Sequence, residues 1–165
     1  MSNHVWEIAD LPPGVKPIGC KWIFKKKLKV DGSIDKHKAR LVAKGFTQKK
    51  DIDYFDTYAL VTQIASIRVL IALAAIHNLY IHRMDIKTVF LDGDLNEELY
   101  MIQPEGCISP GTEHKVCKLI KSLYGLKQTP KQWYKKYDHV LVSNGYRIND
   151  LDKCVYYKSL ILIYM

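Results

Sequence analysis

The alternation of apolar and polar positions is sharpest in "IGCKWIFKKKLKVDGSIDKHKARLVAK", residues 18–44. Trp22, Phe24, Leu28 and Val30 fall on one face, Asp31-Gly32 is a two-residue turn signal, and Ile34 to Val42 forms a return strand. This predicts a β-hairpin whose lysines stand on the opposite face and at the edge. "DIDYFDTYALV" follows neither period and reads as irregular. Beyond it the period becomes helical. Ile64, Ile67, Ile71, Ala74 and Ala75 recur behind the capping residue Thr62, which predicts a core-packing helix from Thr62 through about Asn78.

A strand pattern returns in "LYIHRMDI", with Leu79, Ile81, Arg83 and Asp85 on one face and Tyr80, His82, Met84 and Ile86 on the other. A carboxylate set in such a run needs water, a cation or a metal, because burying it bare is prohibitive. Arg83 projects to the same side as Asp85, so an ion pair is the simplest partner. "LDGDLNEELYMIQPEG" reads as a turn, a short helix and a further strand. Its DGD is no calcium loop: counted from Asp92, the sixth position is Glu97 where glycine is needed, and the twelfth is Gln103. A short strand is expected at Val116–Ile120. Thr129-Pro130 then supplies an N-cap and a first-turn proline, predicting a helix from 130 to about Ser143 that stops at Asn144-Gly145. "CVYYK" and "LILIYM" are strand-like, and the second breaks off in mid-strand at Met165, as a cut chain would. This order of elements predicts one α+β domain with an antiparallel sheet carrying helices on one face.

With 165 residues the chain suffices for one domain with a real core, and 48% hydrophobic residues with 6 Pro and 9 Gly exclude a disordered chain. No apolar stretch approaches the ~20 residues of a membrane span. The N-terminal "MSNHVWEIADLPPG" lacks the layout of a signal peptide, so nothing points to secretion and an intracellular location is expected, which the family resemblance given below narrows to a cytoplasmic particle or the nucleus. Cys20, Cys107, Cys117 and Cys154 form no CxxC pair and are expected as reduced thiols; Cys107, His114 and Cys117 fit no common zinc spacing. There is no P-loop, GxGxxG, HExxH or GxSxG.

Charge is uneven within the net +8. Residues 16–50 hold twelve Lys and Arg against Asp31 and Asp35, and residues 115–136 carry seven lysines and no acid. Tyr124, Trp133 and Tyr134 are interleaved with the second group. Basic surface with aromatics suits a phosphate backbone and unstacked bases.

The blocks "KPIGCKWIFKKKLKVDGSIDKHKARLVAKGFTQ", "IDYFDTYALV", "MDIKTVFLDGDLNEELYMIQPEG" and "KLIKSLYGLKQTPKQWYKK", in this order, resemble the reverse transcriptase domain of copia-type LTR retrotransposon polyproteins, plant ones especially. The resemblance runs from about Trp6 to Met165. It implies the fingers and part of the palm of a right-hand polymerase: a fingers hairpin at about 18–44 and a C-terminally incomplete palm over about 50–165. It implies an RNA-directed DNA polymerase acting with an RNA template, a DNA primer and deoxynucleoside triphosphates, beside the thumb, ribonuclease H and integrase of the same polyprotein.

By the same resemblance, Asp85 is the first catalytic carboxylate and a ligand of two Mg²⁺ ions, which clamp the attacking and leaving oxygens of phosphoryl transfer. Phe90 is the steric gate against a ribose 2′-hydroxyl. Ile86, Tyr124 and Gly125 line the incoming nucleotide, Lys38 and Arg40 hold its triphosphate, and Lys25, Lys27, Lys44 and Lys127 grip nucleic acid. The family's remaining two aspartates follow a Tyr-x dipeptide; "LILIYM" matches the strand leading to them, so they are expected just past Met165, and this chain alone is expected to be inactive. Departures from the family pattern are Thr88-Val89 for Asn-Ala before the gate, and Tyr58-Ala59-Leu60-Val61 for Phe-Ser-Pro-Val. The alternative is a catalytically dead, nucleic-acid-binding remnant.

Overall fold

Strand-forming residues at three separated places assemble the core of the computed structural model, which describes residues 4–86, 88–91 and 93–159. The strands β1 (Trp6–Ala9), β4 (Asp94–Ile102) and β5 (Val116–Lys121) form a sheet of order β1-β5-β4, antiparallel throughout. Cys117 lies opposite Ile8 on one side and Met101 on the other, and Leu119 lies opposite Trp6 and Leu99. Leu99, Met101, Cys117 and Leu119 therefore share one face, and all four are buried, Met101 and Cys117 completely. Burial raises the Cys117 thiol to about 11, so it is an inert core residue. β1 had no signal in the sequence beyond Trp6 and Ile8, and four residues are too few for a period to show.

The hairpin forms as expected, from β2 (Cys20–Leu28) and β3 (Ile34–Ala43). Its turn differs. Gly32 N–H donates to the Lys29 carbonyl at 3.1 Å and Lys29 N–H to the Ser33 carbonyl at 2.9 Å, so the loop is Val30-Asp31-Gly32, with Gly32 at φ +81. A three-residue loop closed by a left-handed residue accommodates the strand twist as well as the two-residue turn would. Asp31 accepts from Ser33 N–H and Oγ, which holds its carboxyl below the usual range. Only the base of the hairpin is in the core: Leu41 and Ala43 are buried with Trp22 packed on them, whereas Phe24, Leu28 and Val30 are exposed.

Three backbone links fix that base. Ile18 bridges Met101 through Ile18 N–H to the Tyr100 carbonyl (2.7 Å) and Ile102 N–H to the Ile18 carbonyl (2.9 Å). Lys44 N–H donates to the Gly19 carbonyl and Ala43 N–H to the Tyr124 carbonyl, both at 2.7 Å. At the last contact Gly45 and Gly125 meet. A Cβ on Gly45 would stand 1.9 Å from the Gly125 carbonyl oxygen, and one on Gly125, at φ +94, would stand 2.1 Å from the Ala43 carbonyl oxygen. No other residue permits this approach.

The helix α1 (Ile64–Ile76) is shorter than expected and differently capped. Thr62 does not cap it; its hydroxyl donates to Asp152 Oδ2 at 2.9 Å, as does Gln63 N–H at 3.0 Å. The expectation of a core-packing helix is not met. Only Ala74 is buried, Ile64 is 66% and Ile71 52% exposed, and apolar residues surround the helix rather than forming a stripe. The strand expected at 79–86 does not form either: these residues have no regular structure, and among the described ion pairs none joins Arg83 to Asp85. The short helix expected within "LDGDLNEELYMIQPEG" does not form among the described residues: a 3₁₀ turn at Val89–Leu91 ends on the first residue of the stretch, and β4 runs from Asp94 through Ile102.

The helix α2 (Thr129–Ser143) matches its expected span, with Asn144 as C-cap and Gly145 at φ +81. Thr129 is inside the helix rather than capping it, because its hydroxyl donates to the Leu123 carbonyl at 2.8 Å. Short strands β6 (Arg147–Ile148) and β7 (Tyr156–Tyr157) pair antiparallel after it, so "CVYYK" contributes two paired residues and Arg147–Ile148 is an addition. The strand expected over "LILIYM", residues 160–165, lies outside the described residues.

Candidate functional site

Strand alternation places Lys25 and Lys27 of β2 on one hairpin face, with Lys38 opposite Lys25, Lys36 opposite Lys27 and Arg40 opposite Ile23. Like charges directly across a ladder repel. Apart from Lys36 with Asp35 (3.7 Å), no described ion pair relieves this face, which is therefore an anion-attracting surface.

Where β3 approaches the segment after β5, a cleft of about 850 Å³ opens. Trp6, Trp22, His37, Lys38, Arg40 and Tyr124 are among the residues that line it. The volume lies within the range of small-molecule sites, and its mix of apolar walls and a few cationic groups suits a ligand with a flat ring and an anionic tail. The Arg40 guanidinium carbon lies 5.5 Å from the Tyr124 ring centroid. Phe90 meets the same ring at right angles, with centroids 5.0 Å apart.

Four of the sequence-derived residues thus gather in one place: Lys38, Arg40, Tyr124 and, through Tyr124, Phe90. Gly125 is the close-approach residue that lets the Tyr124 segment dock on the hairpin. Asp85 and Ile86 are exposed and are not among the residues lining this cleft. Lys25, Lys27 and Lys44 are exposed on or beside the hairpin. Lys127 has partners within the fold. Its ammonium donates to the Gln48 carbonyl (3.2 Å) and the Tyr54 hydroxyl (3.1 Å) and lies 4.6 Å from the Tyr54 ring centroid.

Sequence reasoning missed the polar network beneath this junction. Gln48 Nε2 donates to Gln128 Oε1 at 3.0 Å, Gln128 Nε2 donates to the Asp53 carbonyl at 3.1 Å, and Gln48 Oε1 accepts from Lys127 N–H at 2.9 Å. Both glutamines are buried. It also missed the cleft-lining roles of Trp6 and His37. A buried glutamine pair has no periodic signature; only the burial of partners distant in sequence reveals it.

Among the described residues no group of three or more His, Cys, Asp or Glu side chains could hold a metal ion, so Cys107, His114 and Cys117 are not gathered into one and Asp85 is not part of one. The described residues do not by themselves fit a Mg²⁺ centre. Asp56 is occupied elsewhere, its carboxyl held down by the Lys131 ammonium that it pairs with.

Comparison with known proteins agrees with the resemblance drawn from the sequence blocks. No solved structure matches the chain. It is 49% identical over 157 residues, 95% of its length, to the retrovirus-related Pol polyprotein from transposon TNT 1-94 of Nicotiana tabacum. It is 39% identical over its whole length to the Pol polyproteins from transposons RE1 and RE2 of Arabidopsis thaliana. The chain spans 12% of each of these polyproteins. The family model described as reverse transcriptase (RNA-dependent DNA polymerase) matches residues 3–164, and the chain belongs to that family.

Proposed function

We propose that this chain is the reverse transcriptase domain of a retrotransposon Pol polyprotein and carries part of the machinery of an RNA-directed DNA polymerase. In this reading β2–β3 is the fingers hairpin, and the β1-β5-β4 sheet with α2 is part of the palm. The observation that supports it most is the convergence of Lys38, Arg40 and Tyr124, from blocks distant in sequence, on one cleft. Lys38 and Arg40 hold the triphosphate of an incoming deoxynucleotide. Arg40 is suited to this because its planar fork matches phosphate oxygens. Phe90 excludes the ribose 2′-hydroxyl, Tyr124, Gly125 and Ile86 border the nucleotide, and Lys25, Lys27 and Lys44 take template and primer phosphates. The reaction transfers the nucleotide's α-phosphorus to a primer 3′-hydroxyl and releases pyrophosphate; these residues bind and orient it.

Mg²⁺ supplies charge neutralisation in such a reaction. Asp85 is proposed as one of its ligands because it is an exposed carboxylate without a protein partner among the described residues. The described residues do not complete its site.

Templated primer extension tests the proposal, using a chain continued past Met165 through the expected Asp-Asp pair. Extension that is lost in Asp85→Asn, with primer–template binding retained, supports it. Binding without any extension by the continued chain favours the non-catalytic remnant, and extension at the parent rate by Asp85→Asn removes Asp85 from the site.

A further inference from the structure

Tyr124 touches two of the residues proposed above to meet the nucleotide, and its own position is the better fixed. Its carbonyl accepts the Ala43 N–H at 2.7 Å, the next residue packs on the hairpin backbone, and its neighbours Leu123 and Leu126 are buried. Phe90 sits in a single 3₁₀ turn, Val89–Leu91, behind Thr88 at φ +56. The turn packs against α2, and Leu91 within it packs on the core. The Phe90 ring itself meets Tyr124 edge to face, and the same phenol ring lies under the Arg40 guanidinium.

We infer that Tyr124 is a positioning residue for sugar discrimination: its ring fixes Phe90 in the orientation that meets the sugar while holding Arg40, so triphosphate grip and sugar choice are coupled through one side chain. The inference rests on the nucleotide-site reading above. The coupling uses the ring and not the hydroxyl, so phenylalanine at this position preserves it.

Two measurements test it, both on the 165-residue chain. In the first, 4-fluorophenylalanine is placed at position 90 alone and observed by ¹⁹F NMR without nucleotide. Tyr124→Ala is expected to shift and broaden this resonance, and Tyr124→Phe to leave it near its original position. In the second, dATP and ATP are titrated while following fluorescence of Trp6 and Trp22 in the cleft. Loss of an edge-to-face pair is expected to lower the preference for dATP by about two- to twelvefold in Tyr124→Ala. Tyr124→Phe is expected to restore that preference, and adding Tyr124→Ala to Phe90→Ala to lower it no further. An unchanged resonance and an unchanged preference in Tyr124→Ala overturn the inference while leaving the nucleotide site standing. A wild-type chain that binds neither triphosphate refutes the nucleotide-site reading and this inference with it.

Discussion

Three glycines, Gly32 in the hairpin loop and Gly45 and Gly125 at the junction on which the cleft depends, separate two physical effects. Gly32 has φ +81 and nothing within 4 Å of an added Cβ. Gly32→Ala therefore imposes backbone strain alone, about 1–2 kcal/mol, partly offset by about 0.5–1 kcal/mol from the stiffer unfolded chain. Gly45 is the opposite case, because its added Cβ would stand 1.9 Å from the Gly125 carbonyl oxygen and 2.9 Å from Gln48 Oε1. Relief requires the hairpin base and the Tyr124 segment to part, which endangers the Ala43–Tyr124 backbone bond and the Lys127–Gln48 bond. Leaving one or two such groups unpaired costs about 2–5 kcal/mol. Gly125→Ala combines both effects, with φ +94 and a Cβ 2.1 Å from the Ala43 carbonyl oxygen, and is expected to cost about 3–6 kcal/mol. Against a domain stability of about 5–15 kcal/mol this approaches unfolding. Urea denaturation followed by circular dichroism gives the three values, with the order Gly32→Ala, Gly45→Ala, Gly125→Ala in rising cost. Equal losses at all three within about 0.5 kcal/mol would refute the reasoning, since surface substitutions ordinarily fall in that range.

Gln128→Leu keeps side-chain volume but strands Gln48 Nε2 and the Asp53 carbonyl, so a loss of about 2–5 kcal/mol in the same denaturation assay is expected. Asp152 is held at about 2, first by the Ser66 hydroxyl and then by Gln63 and Cys154 N–H groups. Its contribution is present above the unfolded value of 3.8 and is lost as pH falls through about 2, so melting temperature should drop over that window and drop less in Asp152→Asn. The exposed lysines of the hairpin should give sequence-blind binding to nucleic acid that weakens steeply with salt, and Lys25→Gln with Lys27→Gln should reduce the logarithmic salt slope by about 1–2. Filter binding at several salt concentrations measures it; a flat response would mean that these lysines are only a solvated face.

The hairpin and α2 were legible in the sequence because their signals are local. Trp22 and Phe24 alternate with lysines, and Thr129-Pro130 and Asn144-Gly145 mark both ends of a helix. What is not local was missed or misread. The segment 79–86 has a strand's alternation, yet a strand also needs a hydrogen-bonded neighbour, and none of the described strands pairs with it. α1 has helical spacing, but its apolar residues surround it and do not say which face is covered. Gln48 and Gln128 acquire their importance only from burial against each other. Within the candidate site, Lys38, Arg40, Phe90 and Tyr124 were found through the block resemblance, and their grouping depends on a backbone approach that only Gly45 and Gly125 allow. The bonds of Lys127 to Gln48 and Tyr54 were not legible, because a lysine in a basic run looks the same whether its ammonium faces solvent or turns inward.

The most direct test of the central claim, that the cleft beside β3 receives a deoxynucleoside triphosphate, is photolabelling of the chain with 8-azido-dATP followed by peptide mapping. The account expects label on peptides containing Lys38–Leu41 and Leu123–Tyr124, displaced by excess dATP and diminished in Arg40→Ala. Label confined to other parts of the chain, or label that excess dATP does not displace, would contradict it.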